Sequence, residues 1–330
     1  MSFPQPFGSD LKVLVLAGSD PPPARPRARP RASSELPLQD KSFLPLRGQL
    51  VVEYALDLVR QCGLSRVWVL AAESQLARIP KRHQFIPVVP PDAHFSASLP
   101  VAAAALAPGP GEPILVVFGD HPLGSATALQ VFLAACRERL DTADFFHGLA
   151  LQASYQAYSA WFRRTSVHMR GMSGRSSGFS LVIPSRLHRL SAIGELYSVR
   201  KLERLRSLFG LMSRLGSWLG ADTPRGLLDA VLVYAAKELE KAGRRAGRAA
   251  RFAGRLEAAI TDRVRVERLE RYAARVLGAE RGMRLVPLAH GGIAIDVDFA
   301  EELEALETHW DAVREISARQ DAALAARVAM

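Results

Sequence analysis

Two short segments near the start of the chain carry residue types suited to phosphate chemistry. Leu11-Lys12-Val13-Leu14-Val15-Leu16 is an apolar run that stops at Ala17-Gly18, with Ser19 next. Lys41-Ser42-Phe43-Leu44-Pro45-Leu46-Arg47-Gly48 puts one lysine just ahead of a Leu-Pro-Leu-x-Gly turn. An apolar run of that length closed by glycine predicts a buried strand feeding a loop. Backbone N–H groups at a strand end, with a mobile ammonium beside them, are what a triphosphate requires. A second buried-strand run, Ile114–Phe118, ends in Gly119-Asp120-His121-Pro122-Leu123. Near the C-terminus, Ile293-Ala294-Ile295-Asp296-Val297-Asp298 precedes Phe299-Ala300-Glu301-Glu302-Leu303. On a strand, Asp296 and Asp298 would point to one face.

The elements that must position these residues alternate. Strands are predicted at 11–16, 66–71 and 114–118, and helices at 50–61, near 97–106 and at 125–139. Alternation of this kind predicts a mostly parallel sheet covered by helices on both faces. Sites in such sheets lie beyond the C-terminal ends of the strands, where Gly18, Asp120 and Asp298 all fall.

In this order the segments resemble the MobA-like nucleotidyltransferases. That family shows Leu-Ala-Gly-Gly after a strand, a Gly- and Arg-containing loop, Lys-x-Leu-Leu-Pro-Leu-x-Gly, Ala/Gly-Asp-x-Pro, and a closing Asp-Val-Asp-x-Pro-x-Asp-Leu. The chain keeps Leu16-Ala17-Gly18, Lys41 to Gly48, Gly119-Asp120-His121-Pro122 and Asp296-Val297-Asp298. It replaces the second glycine by Ser19 and lacks the Arg-x-Gly tail of the loop. The resemblance implies a Rossmann-like three-layer α/β nucleotidyltransferase fold, mostly parallel, with a helical insertion. It implies transfer of an NMP unit from an NTP to a phosphorylated or hydroxyl-bearing small molecule, with Mg²⁺ and release of pyrophosphate. Lys41, Asp120 and Asp298 are then the catalytic residues, and Asp120 and Asp298 the metal ligands. By position in the motif, Asp298 matches the second ligand better than Asp296. Leu16, Ala17, Gly18, Ser19, Lys41 and Ser98 would meet the nucleotide, and Arg175, Ser176, Ser177 and Gly178 the acceptor. Ser19 tolerates positive φ and close backbone approach less well than glycine. A catalytically degenerate nucleotide-binding or regulatory member of the same fold is therefore a second reading. A basic protein acting on membrane or nucleic acid is a third.

Composition bounds the rest. The chain of 330 residues is read as a single domain, 1–330, with a long loop at 19–40 and a helical insertion or subdomain at 187–278. No apolar run reaches the length of a membrane span, and Met1–Phe7 lacks the pattern of a signal peptide, so a cytoplasmic protein is expected. Cys62 and Cys136 stand alone on separate predicted helices, as buried thiols in a reducing compartment. The formal net charge of +10 suits phosphorylated ligands, anionic membrane or nucleic acid, and equally an arginine-rich genome. No RNA-binding signature or zinc spacing is present. An NTP and a small-molecule acceptor are the expected partners; nucleic acid is not, while peripheral membrane contact and a homo-oligomer stay open.

Three segments and two histidines leave alternatives. The loop 19–40, with Arg25, Arg27, Arg29 and Arg31 among prolines, is either a cationic lid over the triphosphate or a basic insertion touching nothing. Ser96-Ala97-Ser98-Leu99 either lines the nucleotide or caps a helix. Gly171 to Gly178 is read as a turn ahead of a strand, Phe179–Pro184, and either shapes the acceptor pocket or is a plain hairpin-like turn. His121 and His290 are either phosphate contacts or ordinary loop residues.

Overall fold

In the computed structural model the described residues are 7–18, 38, 40–90, 95–162, 164, 166–192, 225–226, 228–229, 232 and 260–328. In chain order the elements are β1 (Lys12–Leu16), β2 (Pro45–Leu46), β3 (Gln49–Leu50), α1 (Val51–Gln61), β4 (Val67–Leu70), α2 (Glu73–Leu76), β5 (Ile86–Val88), α3 (Phe95–Leu106), β6 (Ile114–Phe118), α4 (Ala126–Arg137), β7 (Phe145–Leu151), α5 (Gln152–Tyr155), β8 (Val167–Met169), β9 (Met172–Val182), α6 (Val266–Leu277), β10 (Met283–Leu288) and α7 (Ala300–Val328). The helix α7 is broken by a kink at His309.

The main sheet runs β10-β7-β9-β6-β1-β4-β5, with β8 paired to β9. Neighbours are parallel except at β9, which runs against β6, β7 and β8. The C-terminal ends of β1, β6 and β7 and the N-terminal half of β9 therefore meet along one edge. Strands buried on both faces read as continuous apolar runs, which is why β1 and β6 stand out in the sequence. Along β1, Val13 and Val15 face the layer of α1, α4 and α7, while Leu14 and Leu16 face α3 and the Leu187–Leu277 contact. This is a three-layer α/β fold, mostly parallel, as the motif order implies. Lys12 breaks the apolar run of β1, and its ammonium is satisfied at the far edge by Glu112 at 2.9 Å and the Ala107 carbonyl at 3.0 Å.

Two expected elements differ. Ile293–Asp298 is not a strand: a 3₁₀ turn at Gly292–Ala294 leads into an irregular stretch. The strand it would need to join, β6, is already paired on both sides by β1 and β9. The segment instead crosses the strand ends, held by the Val297 N–H on the Asp120 carbonyl at 3.0 Å. Gly291 permits this crossing, because a Cβ there would lie 2.5 Å from the Ser154 carbonyl oxygen. The turn expected through Gly171–Gly178 is also displaced. The chain reverses at Gly171, with φ of 79°, and Met172–Val182 is one long strand that includes Arg175 to Gly178. The expected strand at Phe179–Pro184 is thus the second half of β9.

The 19–40 loop lies outside the described residues except for Leu38 and Asp40, as does most of the expected 187–278 insertion. Its described C-terminal part, α6, contributes Leu277 to the core cluster on the α3 face. Among the described residues no helix is long and apolar enough to cross a membrane. Cys62 and Cys136 are buried and unpaired, on the helical layer beside α1 and α4.

Candidate active site

Lys41 and Asp120 reach the sheet edge on short connections, whereas Arg175 lies within β9. After β6, Gly119 donates to the Leu16 carbonyl at 2.8 Å, and a Cβ on it would sit 3.1 Å from the same oxygen. The β6 end thus lies directly on the β1 end, and Asp120 follows immediately. Lys41 opens a one-turn 3₁₀ helix, Lys41–Phe43, anchored by the buried Phe43 ring. The turn that follows, Leu46-Arg47-Gly48-Gln49, has positive φ at Arg47 and Gly48 (51° and 83°). That is the backbone of a tight primed hairpin turn, and it closes β2 on β3.

These connections bring Lys41, Asp120 and Asp298 together. The Lys41 ammonium pairs with Asp120 Oδ2 and lies 2.7 Å from Asp298 Oδ1, although Lys41 and Asp298 are 257 positions apart. The two carboxylates therefore flank one cation. Arg164 closes the other side: its guanidinium sits 2.7 Å from Asp296 Oδ1 and 2.8 Å from Asp298 Oδ2, and it pairs with Glu302. Glu302 in turn accepts from the backbone N–H of Asp298 at 2.8 Å and of Phe299 at 3.1 Å. It is therefore a brace at the start of α7 rather than only a complement to the helix dipole. Arg175 reaches Asp296 Oδ1 at 3.8 Å, with its guanidinium 4.5 Å above the Tyr155 ring. Among the described residues, three basic side chains thus meet four carboxylates.

The protonation directions follow from this packing. Burial is the largest influence and raises the Asp120 and Asp298 carboxyls, but Lys41 together with His121 at Asp120, and with Arg164 at Asp298, reverses it. Both are held below the ordinary carboxylate range. Burial pushes the Glu302 carboxyl up despite Arg164. Burial lowers the Arg164 guanidinium, and Asp296, Glu302 and Asp298 together more than reverse this. Asp120 Oδ1 is buried and accepts no hydrogen bond among the described residues, and the buried Arg175 Nη1 donates none. A buried polar atom without a hydrogen-bond partner is costly.

The other expected site residues divide. Leu16, Ala17 and Gly18 end β1, with the Ala17 and Gly18 N–H groups on the Leu70 carbonyl at 3.1 and 3.0 Å. Ser19 lies outside the described residues, and Ser98 falls in α3 with its side chain outside them. Ser176 is exposed at the same edge and bonds His147 Nε2 at 2.7 Å. Ser177 is buried against Gly148, where an added Cβ would lie 2.2 Å from its Oγ. It takes the Phe179 N–H at 3.2 Å and faces the core rather than the edge. Gly178 lies under the His121 ring.

Sequence reasoning gave no role to Arg164 or His147. Arg164 belongs to an undistinguished Arg-Arg pair, and nothing in local spacing marks its contact with three distant carboxylates. His147 bonds Ser180 at 2.8 Å and Ser176 at 2.7 Å. Burial, then His121, push its imidazole down to about 4. His290 is buried beside Asp321, 3.5 Å away, and away from the edge cluster.

The fold is a mostly parallel three-layer α/β sheet with a lysine and acidic groups gathered over its strand ends. Residues 31–169 match the family described as the MobA-like NTP transferase domain, which confirms the resemblance carried by the motifs. Lys41 and Asp120 lie inside that span, Asp298 beyond it. No curated protein matches the chain. Among solved structures, the chain is similar to a hypothetical transferase from Thermus thermophilus, with TM-score 0.55 and 20% identity over 89% of this chain and 99% of that one. At that identity the likeness is one of fold. A looser likeness, TM-score 0.45 and 11% identity over 94% of this chain and 100% of the other, is to a CMP:2-keto-3-deoxy-manno-octonic acid synthetase complexed with CTP.

Proposed function

We propose that the protein is a nucleotidyltransferase that moves an NMP unit from an NTP to a phosphorylated or hydroxyl-bearing small molecule and releases pyrophosphate. The observation that carries this reading is the convergence of Lys41, Asp120 and Asp298 on one strand-end edge, within a MobA-like domain. In the reaction an acceptor oxygen bonds the α-phosphorus and the bond to the β-phosphate oxygen breaks. Such displacements depend on positioning and on neutralising charge.

The residues fit a divalent cation. Asp120 Oδ1 is a buried acceptor without a partner, and oxygen donors with room for water and phosphate suit Mg²⁺. Asp120 and Asp298 would hold it, and it would neutralise phosphate oxygens when bound. Lys41 now occupies the space between the two carboxylates. Triphosphate competes for that ammonium and draws it to the leaving pyrophosphate, where charge develops. The Arg175 Nη1 donor, buried and unused, favours an anionic acceptor such as a phosphate ester.

The test is a screen of four NTPs with Mg²⁺ against sugar, polyol and cofactor phosphates, reading pyrophosphate. Acceptor-dependent release from one NTP is expected. Nucleotide binding without release under any pairing would replace the transferase by a binding-only descendant of the fold.

A further inference from the structure

Away from the strand-end edge, arginine gathers a second time. Among the described residues, a cavity of about 780 Å³ is lined by Arg170, Arg225, Arg263, Arg265, Arg268 and Arg271. Lys41, Asp120, Arg175 and Asp298 take no part in its wall. The arginines come from three parts of the chain: the turn after β8, position 225, and the run 263–271 that enters α6.

The fold fixes two of these parts against each other. The Arg170 N–H donates to the Val264 carbonyl at 2.7 Å, and Arg170 forms a backbone bridge with Arg265. Val264 is fully buried, in one cluster with Leu149 and Met169. Its neighbours Arg263 and Arg265 are exposed, as is Arg170. Arg268 and Arg271 follow on α6, one turn apart.

One arginine of the six is committed. Arg268 Nε lies 3.4 Å from Asp229 Oδ2, which also accepts from the Tyr272 hydroxyl at 3.2 Å, and Arg268 Nη2 donates to the Arg263 carbonyl. The other five make no ion pair among the described residues. Asp262 and Glu267 are the two remaining carboxylates of the wall, both exposed. Six arginines against three carboxylates leave an excess of three positive charges. Like charges one turn apart weaken a helix, and cations in its first turn oppose its dipole. An anion in the cavity offsets both costs.

We propose that this cavity is a second ligand site, and that it takes a small molecule of about nucleotide size carrying two or more phosphate groups. Its volume falls within the roughly 300–1,000 Å³ of small-molecule sites. Guanidinium forks match phosphate oxygens two at a time, and several separated forks suit several phosphates. A flat basic face would suit a membrane or a nucleic-acid backbone. Here the arginines converge on a hollow from three parts of the chain, which favours a small ligand. The site needs neither the lysine–carboxylate edge nor nucleotidyl transfer, so a protein without transferase activity can still have it.

The test titrates the full chain with sodium triphosphate by calorimetry, in chelator at low ionic strength. Lys41→Met, which disables the edge, is expected to keep one equivalent of triphosphate. Adding Arg265→Ser and Arg271→Ser to it is expected to weaken that binding by about a hundred-fold, since each charge-assisted hydrogen bond lost accounts for roughly ten-fold. Adding Arg60→Ser instead, at an arginine 71% exposed, is expected to change nothing. No triphosphate binding by Lys41→Met overturns the proposal, as does an equal loss from Arg60→Ser, which would mark general charge attraction. Orthophosphate binding as tightly as triphosphate overturns the ligand class. Binding to phosphatidylglycerol vesicles without affinity for triphosphate replaces the ligand by a membrane surface. Should the arginine variant fail to fold, hydrogen exchange on wild type answers the same question: triphosphate is expected to protect the amides of 264–271, and protection confined to 16–18 and 119–121 overturns the proposal.

Discussion

Replacing Arg164 by Met removes one cation from three carboxylates. Asp296, Asp298 and Glu302 are 10%, 25% and 12% exposed at their side chains, so water cannot take over the role of the guanidinium. Stranding a buried charge by deleting its partner costs about 3–5 kcal/mol. Asp298 keeps Lys41 at 2.7 Å, which places the expected loss near the lower end, about 3 kcal/mol. At roughly 2–4 °C per kcal/mol for a domain of 150–250 residues, the melting temperature falls by about 6–12 °C, with the smaller figure favoured by this longer chain. The assay is thermal unfolding followed by circular dichroism at pH 7.5 with chelator. Without the guanidinium, the Glu302 carboxyl, already raised by burial, rises further above its unfolded value. The deficit is therefore full above that raised range and narrows as pH falls and the carboxyls take up protons. A divalent cation at millimolar concentration narrows it as well. A deficit below about 1 kcal/mol that ignores both pH and cation would match a solvated surface pair and refute the reasoning.

Three further outcomes are expected. Lys41→Met lowers turnover more than nucleotide affinity, on the order of 10²-fold, in steady-state kinetics with the best NTP; equal losses in the two would assign Lys41 to ground-state binding alone. The His147 imidazole is depressed from its ordinary value of 6.5 to about 4, so the unfolded chain binds more protons in that window and stability falls as pH drops from 6.5 toward 4; His147→Gln should flatten that part of the melting profile, and an unchanged slope would assign it to other groups. Gly178→Ala forces a methyl to 2.9 Å from His121 Cγ and should cost about 1–3 kcal/mol in denaturant unfolding; a neutral result would mean that the ring is not held as described.

The strands β1 and β6 and the helices α1 and α4 were legible because their pattern is local. A buried parallel strand is a continuous apolar run, and α1 repeats apolar residues at helical spacing. Lys41 and Asp120 were legible for a related reason, since each sits one connection away from such a run. The Asp296–Asp298 stretch misled because Ile293-Ala294-Ile295 reads as a strand, while whether it pairs depends on an open sheet edge, and β6 has none. Arg175 to Gly178 misled in the opposite sense. Three glycines and three serines between Gly171 and Gly178 look like a turn, yet Gly174 is small because a Cβ would meet the Ala150 carbonyl oxygen at 2.5 Å. Its role is close packing within the sheet. Arg164 was invisible, since its three carboxylate partners lie 132 to 138 positions downstream.

The claim at the centre of this account is that Asp120 serves nucleotide chemistry at the strand-end edge. Asp120→Asn deletes one charge and almost no volume, so the fold should persist while the cation-dependent behaviour goes. The direct measurement is NTP affinity by calorimetry, wild type against Asp120→Asn, each with and without divalent cation. The account predicts that the cation tightens NTP binding to wild type by ten-fold or more and leaves binding to the variant unchanged. An equal cation effect in both proteins would contradict it and remove Asp120 from the site's chemistry.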